Sequence, residues 1–150
     1  MTREFHILLV EDSRADVKII ERALTEGAVP HRLTVLHDGR HALDYLKKLE
    51  HPETPDDLQP DLVLLDLNLP GLDGCQVLTE IKTHPFLRAI PIVILTTSRR
   101  DEDVLQTYQA GANSFIQKPS EDPRYRDLVK TLRTYWFDTA VRPTLIRERP

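Results

Sequence analysis

Short apolar segments alternate with amphipathic segments along the chain, and this alternation predicts strands and helices in turn. Four segments carry few polar breaks, at residues 7–10, 62–65, 92–95 and 114–117. Segments of this length are typical of strands buried on both faces of a parallel sheet. A further strand is predicted over His31–His37, where Leu33 and Val35 stand at alternate positions.

Helical spacing of apolar residues fills the intervals between the strands. Ser13 can cap a first helix that extends to Gly27. Similar patterns predict helices after Asp38–Gly39, after Gly74, over residues 101–110 and over residues 124–137. Residues 51–60 are rich in proline and acidic side chains, so this segment is predicted to be a solvated loop.

The strict alternation of five strands with five helices indicates the α/β class. Because crossovers between parallel strands are right-handed, we expect a doubly wound five-stranded parallel sheet, a (β/α)5 arrangement. Residues 5–137 contain all of these units and are expected to form one domain. Residues 138–150 have no partner unit and are predicted to be a C-terminal extension.

The composition narrows the class of protein. The chain has 150 residues, of which 24 are acidic and 20 basic, and its net charge is −4. Since no basic block offers a footprint for nucleic acid, direct binding of DNA or RNA is not expected. Cys75 is the one cysteine, no signal peptide is recognisable, and the apolar segments are too short to span a bilayer. We therefore expect a cytoplasmic protein that does not bind a membrane.

Chemically useful side chains follow directly after four of the strands. They are Glu11-Asp12, Asp66, Thr96 and Lys118-Pro119. Because the carboxyl ends of parallel strands meet at one edge of a sheet, where ligands bind, three carboxylates, a hydroxyl and an ammonium should lie close together. The sequence therefore predicts one polar site at this edge.

These groups suit phosphoryl transfer. Carboxylates this close repel each other by several kcal/mol, a cost of roughly 4 kcal/mol per pair at an effective dielectric near 20. A divalent cation relieves the repulsion, and hard carboxylate oxygens suit Mg²⁺. Lys118 and Thr96 can bind phosphate oxygens, so that Asp66 can attack phosphorus and become an aspartyl phosphate.

In this order and at these strand ends, the residues resemble the receiver domain of two-component response regulators over residues 5–137. The resemblance implies the flavodoxin-like fold with strand order 2-1-3-4-5 and a sensor histidine kinase that phosphorylates Asp66. It further implies that Glu11, Asp12, Asp66 and the backbone carbonyl of Asn68 hold Mg²⁺. No enzymatic activity is expected beyond Mg²⁺-dependent self-phosphorylation and autodephosphorylation.

The resemblance also implies a conformational switch. Thr96 and Phe115 look like the switch pair, and the Lys118–Pro119 peptide bond would be cis. Phosphorylation would then change the face formed by the fourth helix, the fifth strand and the fifth helix.

A narrower resemblance is to the cyanobacterial phytochrome response regulators. It rests on the longer 51–60 loop, on the segment Leu95-Thr96-Thr97-Ser98, and on a tail in place of an output domain. This resemblance implies a phytochrome-like kinase and a separate downstream protein that delivers the response.

Three consecutive aromatic residues, Tyr135, Trp136 and Phe137, end the last predicted helix. Side chains advance by about 100° per helical residue, so the three cannot all face one core. Apolar surface here favours a homodimer, which Val141, Leu145 and Ile146 could extend. The alternative is that the tail folds back over its own chain.

Other functions fit the residues less well. The segment after Asp66 begins like a calcium-binding loop, but its twelfth position is Val77 instead of glutamate. A phosphatase of the haloacid-dehalogenase type would need aspartate where Asn68 stands. The alternative that remains open is an interaction module whose receiver site is vestigial and never accepts phosphate.

Overall fold

The computed structural model describes residues 4–145 and contains one sheet of five parallel strands in the order β2-β1-β3-β4-β5. The strands are β1 (Phe5–Val10), β2 (His31–Leu36), β3 (Leu62–Leu65), β4 (Ile92–Thr96) and β5 (Ser114–Gln117). The helices are α1 (Arg14–Glu26), α2 (Gly39–Lys48), α3 (Gly74–Thr83), α4 (Asp101–Gln109) and α5 (Arg124–Leu132). The predicted class, doubly wound sheet and strand order are thus confirmed. No helix in the described part of the chain combines the length and the apolar character needed to cross a membrane.

Alternate strand residues pack on opposite faces of the sheet, as the two-residue period of a strand requires. Leu8 and Leu65 lie in the layer between the sheet and helices α2 and α3. Leu9 and Leu64 lie in the layer between the sheet and helices α1 and α5. Each fully buried side chain of this size contributes about 1.5–3 kcal/mol, so the two layers hold the strand ends in fixed positions.

The last helix departs from the prediction at its end. Its α-helical part stops at Leu132, and a π-helical segment spans Arg133–Thr139. Its wider turn is closed by the Ala140 N–H, which donates to the carbonyl of Tyr135 at 2.6 Å.

This wider turn separates the three consecutive aromatic side chains. Trp136 and Phe137 are half-buried against the layer of α1 and α5, whereas Tyr135 is 55% exposed. The expectation that the three side chains cannot all face one core is confirmed. Their role in a homodimer stays a prediction.

The described part of the C-terminal extension folds back over its own chain, at the edge where the strands begin. Gln59 lies in the predicted loop, which is largely exposed, and binds the extension twice. Its Nε2 donates to the carbonyl of Pro143 at 3.0 Å, and its Oε1 accepts from the Leu145 N–H at 3.1 Å. We call this end of the sheet, with Gln59, Asp61 and Arg142, the amino edge. Residues 146–150, including Ile146, lie outside the described residues.

Candidate functional site

The opposite end of the sheet gathers the polar residues that the sequence predicted. Glu11, Asp66, Thr96 and Lys118 directly follow or end their strands, and all four are buried. We call this end, with these four residues and Asp16, the carboxyl edge. The site is thus built from the ends of β1, β3, β4 and β5, which the two apolar layers hold in place.

Lys118 is the centre of the site. Its Nζ lies 2.6 Å from Glu11 Oε1, 2.7 Å from Asp16 Oδ2 and 2.9 Å from Asp66 Oδ2. The side chains of Lys118, Glu11 and Asp66 are at most 5% exposed. One positive charge therefore stands among three acidic side chains, and water hardly reaches two of them, Glu11 and Asp66.

Burial and hydrogen bonding shift the pKa values of Glu11 and Lys118. Burial raises the pKa of Glu11 to about 7, although hydrogen bonds from Lys118 and the Ser13 N–H act to lower it. Burial acts to lower the pKa of Lys118, but hydrogen bonds to Asp16, Glu11 and Asp66 outweigh it and raise that pKa. The lysine is thus firmly protonated, and the surplus of negative charge falls on the carboxylates.

The backbone around Asp66 is fixed by a close approach of α3. The Gly74 N–H donates to the Leu67 carbonyl at 3.0 Å. A Cβ at Gly74 would lie 2.2 Å from the Asp66 carbonyl oxygen, so only glycine fits at this position. The Asn68 N–H donates to Asp66 Oδ1 at 3.2 Å and orients the carboxylate.

The two residues of the predicted switch pair lie on neighbouring strands. Thr96 ends β4 and is fully buried, and its Oγ1 accepts from the Ser98 N–H at 3.4 Å. Phe115 is half-buried in β5, in register with Ile94, and packs against the layer of α2 and α3. The Phe115 N–H donates to the hydroxyl of Tyr108 on α4 at 3.2 Å.

The predicted metal ligands are not all grouped in one cluster. Glu11 and Asp66 bind Lys118, whereas Asp12 and Asn68 are exposed beside them. Among residues 4–145, no three acidic, histidine or cysteine side chains are placed to hold a metal ion together. The donor set nevertheless fits Mg²⁺, because it offers hard carboxylate and carbonyl oxygens and a surplus of negative charge.

The prediction of a cis peptide bond between Lys118 and Pro119 is wrong. The described residues contain no cis peptide bond, so this bond is trans. The trans form is favoured by about 0.5–1 kcal/mol before proline, and Lys118 reaches all three carboxylates from it.

Asp16 is the site residue that the sequence analysis missed. It lies in the first turn of α1, where its N–H donates to the capping hydroxyl of Ser13 at 3.2 Å. Acidic residues are common at this position because they interact favourably with the helix dipole, so the sequence alone gives no reason to single it out.

Comparisons with known proteins find a family whose model matches most of the chain, and several similar proteins. A family model described as a response regulator receiver domain matches residues 7–130. Response regulator Rcp1 of Synechocystis sp. is 38% identical over 138 residues, which are 91% of this chain and 92% of Rcp1. The probable methanogenesis regulatory protein FilR2 of Methanothrix harundinacea is 42% identical over 133 residues, which are 89% of this chain and 84% of FilR2.

Two solved structures share the fold along nearly their whole length. One is the phosphorylated cyanobacterial phytochrome response regulator RcpA, with a TM-score of 0.84, 39% identity, and coverage of 94% of this chain and 99% of RcpA. The other is the Mn²⁺-bound form of Rcp1, with a TM-score of 0.80, 38% identity, and coverage of 92% and 98%.

Proposed function

Because this chain belongs to the response regulator receiver domains, we propose that it accepts a phosphoryl group on Asp66 from a sensor histidine kinase. One observation carries the proposal: the buried Asp66 carboxylate lies 2.9 Å from the ammonium of Lys118 at the carboxyl edge. A carboxylate held beside a buried cation can act as a nucleophile and keep the charge of the product balanced.

The chemistry requires little beyond alignment and charge stabilisation. An oxygen of Asp66 attacks the phosphorus of a phosphohistidine and forms a P–O bond. The P–N bond breaks, and its electron pair stays on the ring nitrogen of the leaving imidazole. Lys118 and Thr96 bind oxygens of the transferred group.

Mg²⁺ is the proposed cofactor, held by Glu11, Asp12, Asp66 and the backbone carbonyl of Asn68, and it neutralises negative charge on the phosphoryl oxygens. The surplus of carboxylates around Lys118 supports this assignment, because a second cation would relieve it. The Mn²⁺-bound form of the relative Rcp1 is consistent with a divalent cation here. Self-phosphorylation and autodephosphorylation are the only catalysis that we assign.

The response is proposed to travel to the face formed by α4, β5 and α5. A phosphoryl group adds a charge of about −1.5 to −2 and draws Thr96 towards it. Phe115 then repacks, because it lies in the strand beside Thr96 and is only half-buried. Tyr108 joins Phe115 to α4 by a hydrogen bond, so a shift of β5 reaches the helix.

The partners are proposed from the relatives. RcpA is a phytochrome response regulator, and this supports a phytochrome-like histidine kinase as the phosphoryl donor in the cytoplasm. The exposed Tyr135 supports a homodimer, and a separate protein would receive the signal.

Phosphotransfer with labelled phosphate tests the proposal. The wild-type chain should take label from a phosphorylated histidine kinase with Mg²⁺ and lose it to alkali, as an acyl phosphate does. Asp66→Asn should take none, because an amide is not a nucleophile here. Asp44→Asn, the same change at an exposed position of α2, is the matched control and should label normally.

Two results would count against the proposal. Label that persists in Asp66→Asn would place the acceptor elsewhere. A wild-type chain that takes no label from any histidine kinase or from acetyl phosphate would indicate the vestigial interaction module.

A further inference from the structure

The ammonium of Lys118 has no hydrogen-bond donor to spare. A lysine side chain carries three N–H donors. Asp16 and Asp66 accept hydrogen bonds at 2.7 Å and 2.9 Å, and Glu11 Oε1 lies 2.6 Å away as an ion-pair partner, so the three donors face three carboxylates. To bind an oxygen of a phosphoryl group on Asp66, Lys118 must therefore give up one of these partners.

The three partners differ in what it costs to release them. Glu11 and Asp66 are 2% and 5% exposed, and each contacts Lys118 with one oxygen, Oε1 and Oδ2, so the other oxygen of each can bind Mg²⁺ while the contact with Lys118 is kept. A carboxylate released there from Lys118 would stay out of water. Asp16 stands on the first turn of α1, and its side chain is 25% exposed. Its carboxylate can regain water with a small rotation of the side chain, and it is therefore the partner that exchanges most easily.

We propose that Asp16 is a positioning residue that holds Lys118 Nζ in the resting site and yields it to the phosphoryl group on Asp66. Asp16 thereby lowers the affinity of the site for the phosphoryl group, since its contact with Lys118 must be lost on phosphorylation. The inference rests on the proposed function and assigns to that site a residue that competes with the phosphoryl group for its lysine.

The expected size of the effect follows from the kind of ion pair. A contact that is partly open to water stabilises the resting state by up to about 1 kcal/mol, which is roughly a fivefold change in affinity. Removing the charge of Asp16 should therefore tighten binding of a phosphoryl analogue by up to about fivefold. A side chain with a merely structural role would not produce tighter binding when it is removed.

Beryllofluoride at saturating Mg²⁺ is the probe, and its dissociation constant is measured by ¹⁹F NMR on the full chain. Asp16→Asn should bind it about fivefold more tightly than the wild type, and the phosphorylated form should live longer. Asp16→Glu restores a carboxylate and should return the dissociation constant towards the wild-type value. Glu21→Gln, an equal loss of charge at an exposed position of the same helix, should bind as the wild type does.

Thermal unfolding of each variant shows that it is folded before binding is compared. Equal affinities of wild type and Asp16→Asn would overturn the inference and leave the proposed function standing. Weaker binding by Asp16→Asn would also overturn it, because Asp16 would then support the bound group. A wild-type chain that does not bind beryllofluoride at all would instead refute the proposed function.

Discussion

Asp61 and Asp66 lie at opposite ends of the four-residue strand β3, and each binds a cation from a distant part of the chain. Both are buried, at 6% and 5% exposure. Asp61 at the amino edge binds Arg142, whereas Asp66 at the carboxyl edge binds Lys118. Both ends of β3 therefore have a buried aspartate paired with a cation, and they differ in the residues around this pair.

At the amino edge, Asp61 and Arg142 bind each other and also groups of the backbone and the core. Asp61 Oδ1 accepts from Arg142 Nε at 3.1 Å, and its Oδ2 accepts from the His6 N–H at 2.9 Å. The guanidinium also donates to the carbonyl of Phe137 and lies 5.4 Å and 5.6 Å from the ring centroids of Phe137 and Phe5. Because the planar guanidinium of Arg142 is held by hydrogen bonds and by two aromatic rings, it is fixed in one position.

At the carboxyl edge, three carboxylates share one lysine. The ammonium is a compact charge on a flexible stem, so it can move between partners. A cavity of about 950 Å³ lies at the amino edge, beside Asp61 and Arg142. Cavity volume alone would point to the amino edge, whereas the surplus of carboxylates marks the carboxyl edge.

The largest expected difference between the two edges is in the free energy of unfolding after the same substitution, aspartate to asparagine, at Asp61 and at Asp66. Asp61→Asn should lower the free energy of unfolding by about 3 kcal/mol, because it leaves the buried Arg142 without its counter-charge. Asp66→Asn should raise it by up to about 1 kcal/mol, because it removes one of three repelling carboxylates. Urea denaturation followed by the fluorescence of Trp136, the one tryptophan, measures both.

The sign of the Asp66 result decides this prediction. A loss of stability in Asp66→Asn similar to that in Asp61→Asn would show that both pairs are structural. The two edges would then not differ in how their buried carboxylates affect stability.

Replacing Arg142 by lysine should lower the free energy of unfolding by less than Asp61→Asn does. Arg142→Lys keeps the charge but loses the fork that reaches Asp61 and the backbone and the contact with two rings. We expect a loss of about 1–2 kcal/mol in unfolding free energy. Arg126→Lys is the control, since Arg126 pairs with Glu26 in the solvent and should change by less than about 0.5 kcal/mol.

A different outcome would weaken the contrast between the two cations. If Arg142→Lys were as stable as the wild type, a point charge would suffice at the amino edge. The fixed character of that contact would then need another explanation.

The carboxyl edge could be predicted from the sequence because its residues follow from the pattern of the strands. Apolar segments mark buried strands, and the parallel order brings the residues after them together, as for Asp66 and Lys118. Asp16 was not predicted, because its contact with Lys118 depends on the direction in which α1 leaves the sheet. A helical acid near an N-terminus has a common local explanation that hides such a contact.

The ion pair at the amino edge could not be predicted, because its two residues lie far apart along the chain. Arg142 meets Asp61 across 81 residues, and no period of apolar residues reports on such a pair. The π-helical segment Arg133–Thr139 also depends on tertiary packing, because the stacking of Phe137 on Phe5 favours the wider turn. Local propensity predicts an ordinary helix there.

The remaining prediction concerns pH, to which the two edges should respond in opposite directions. Burial lowers the pKa of His6 at the amino edge, with the charge of Arg32 acting the same way. Near pH 6.5, His6 therefore binds a proton in the unfolded chain but stays largely neutral in the folded chain. Stability from His6 is therefore complete above about pH 6.5 and is lost as the pH falls through the folded value.

At the carboxyl edge the sign is reversed. Burial raises the pKa of Glu11 from 4.5 to about 7, so its contribution is complete below pH 4.5 and is lost as the pH rises through 7. Unfolding free energies measured from pH 4.5 to 8 should thus rise more steeply with pH in Glu11→Gln and less steeply in His6→Gln than in the wild type. Parallel curves for all three proteins would show that neither edge couples proton binding to folding. The slopes are opposite because burial disfavours the charged form of each group, and the charged form is the protonated one in His6 and the deprotonated one in Glu11.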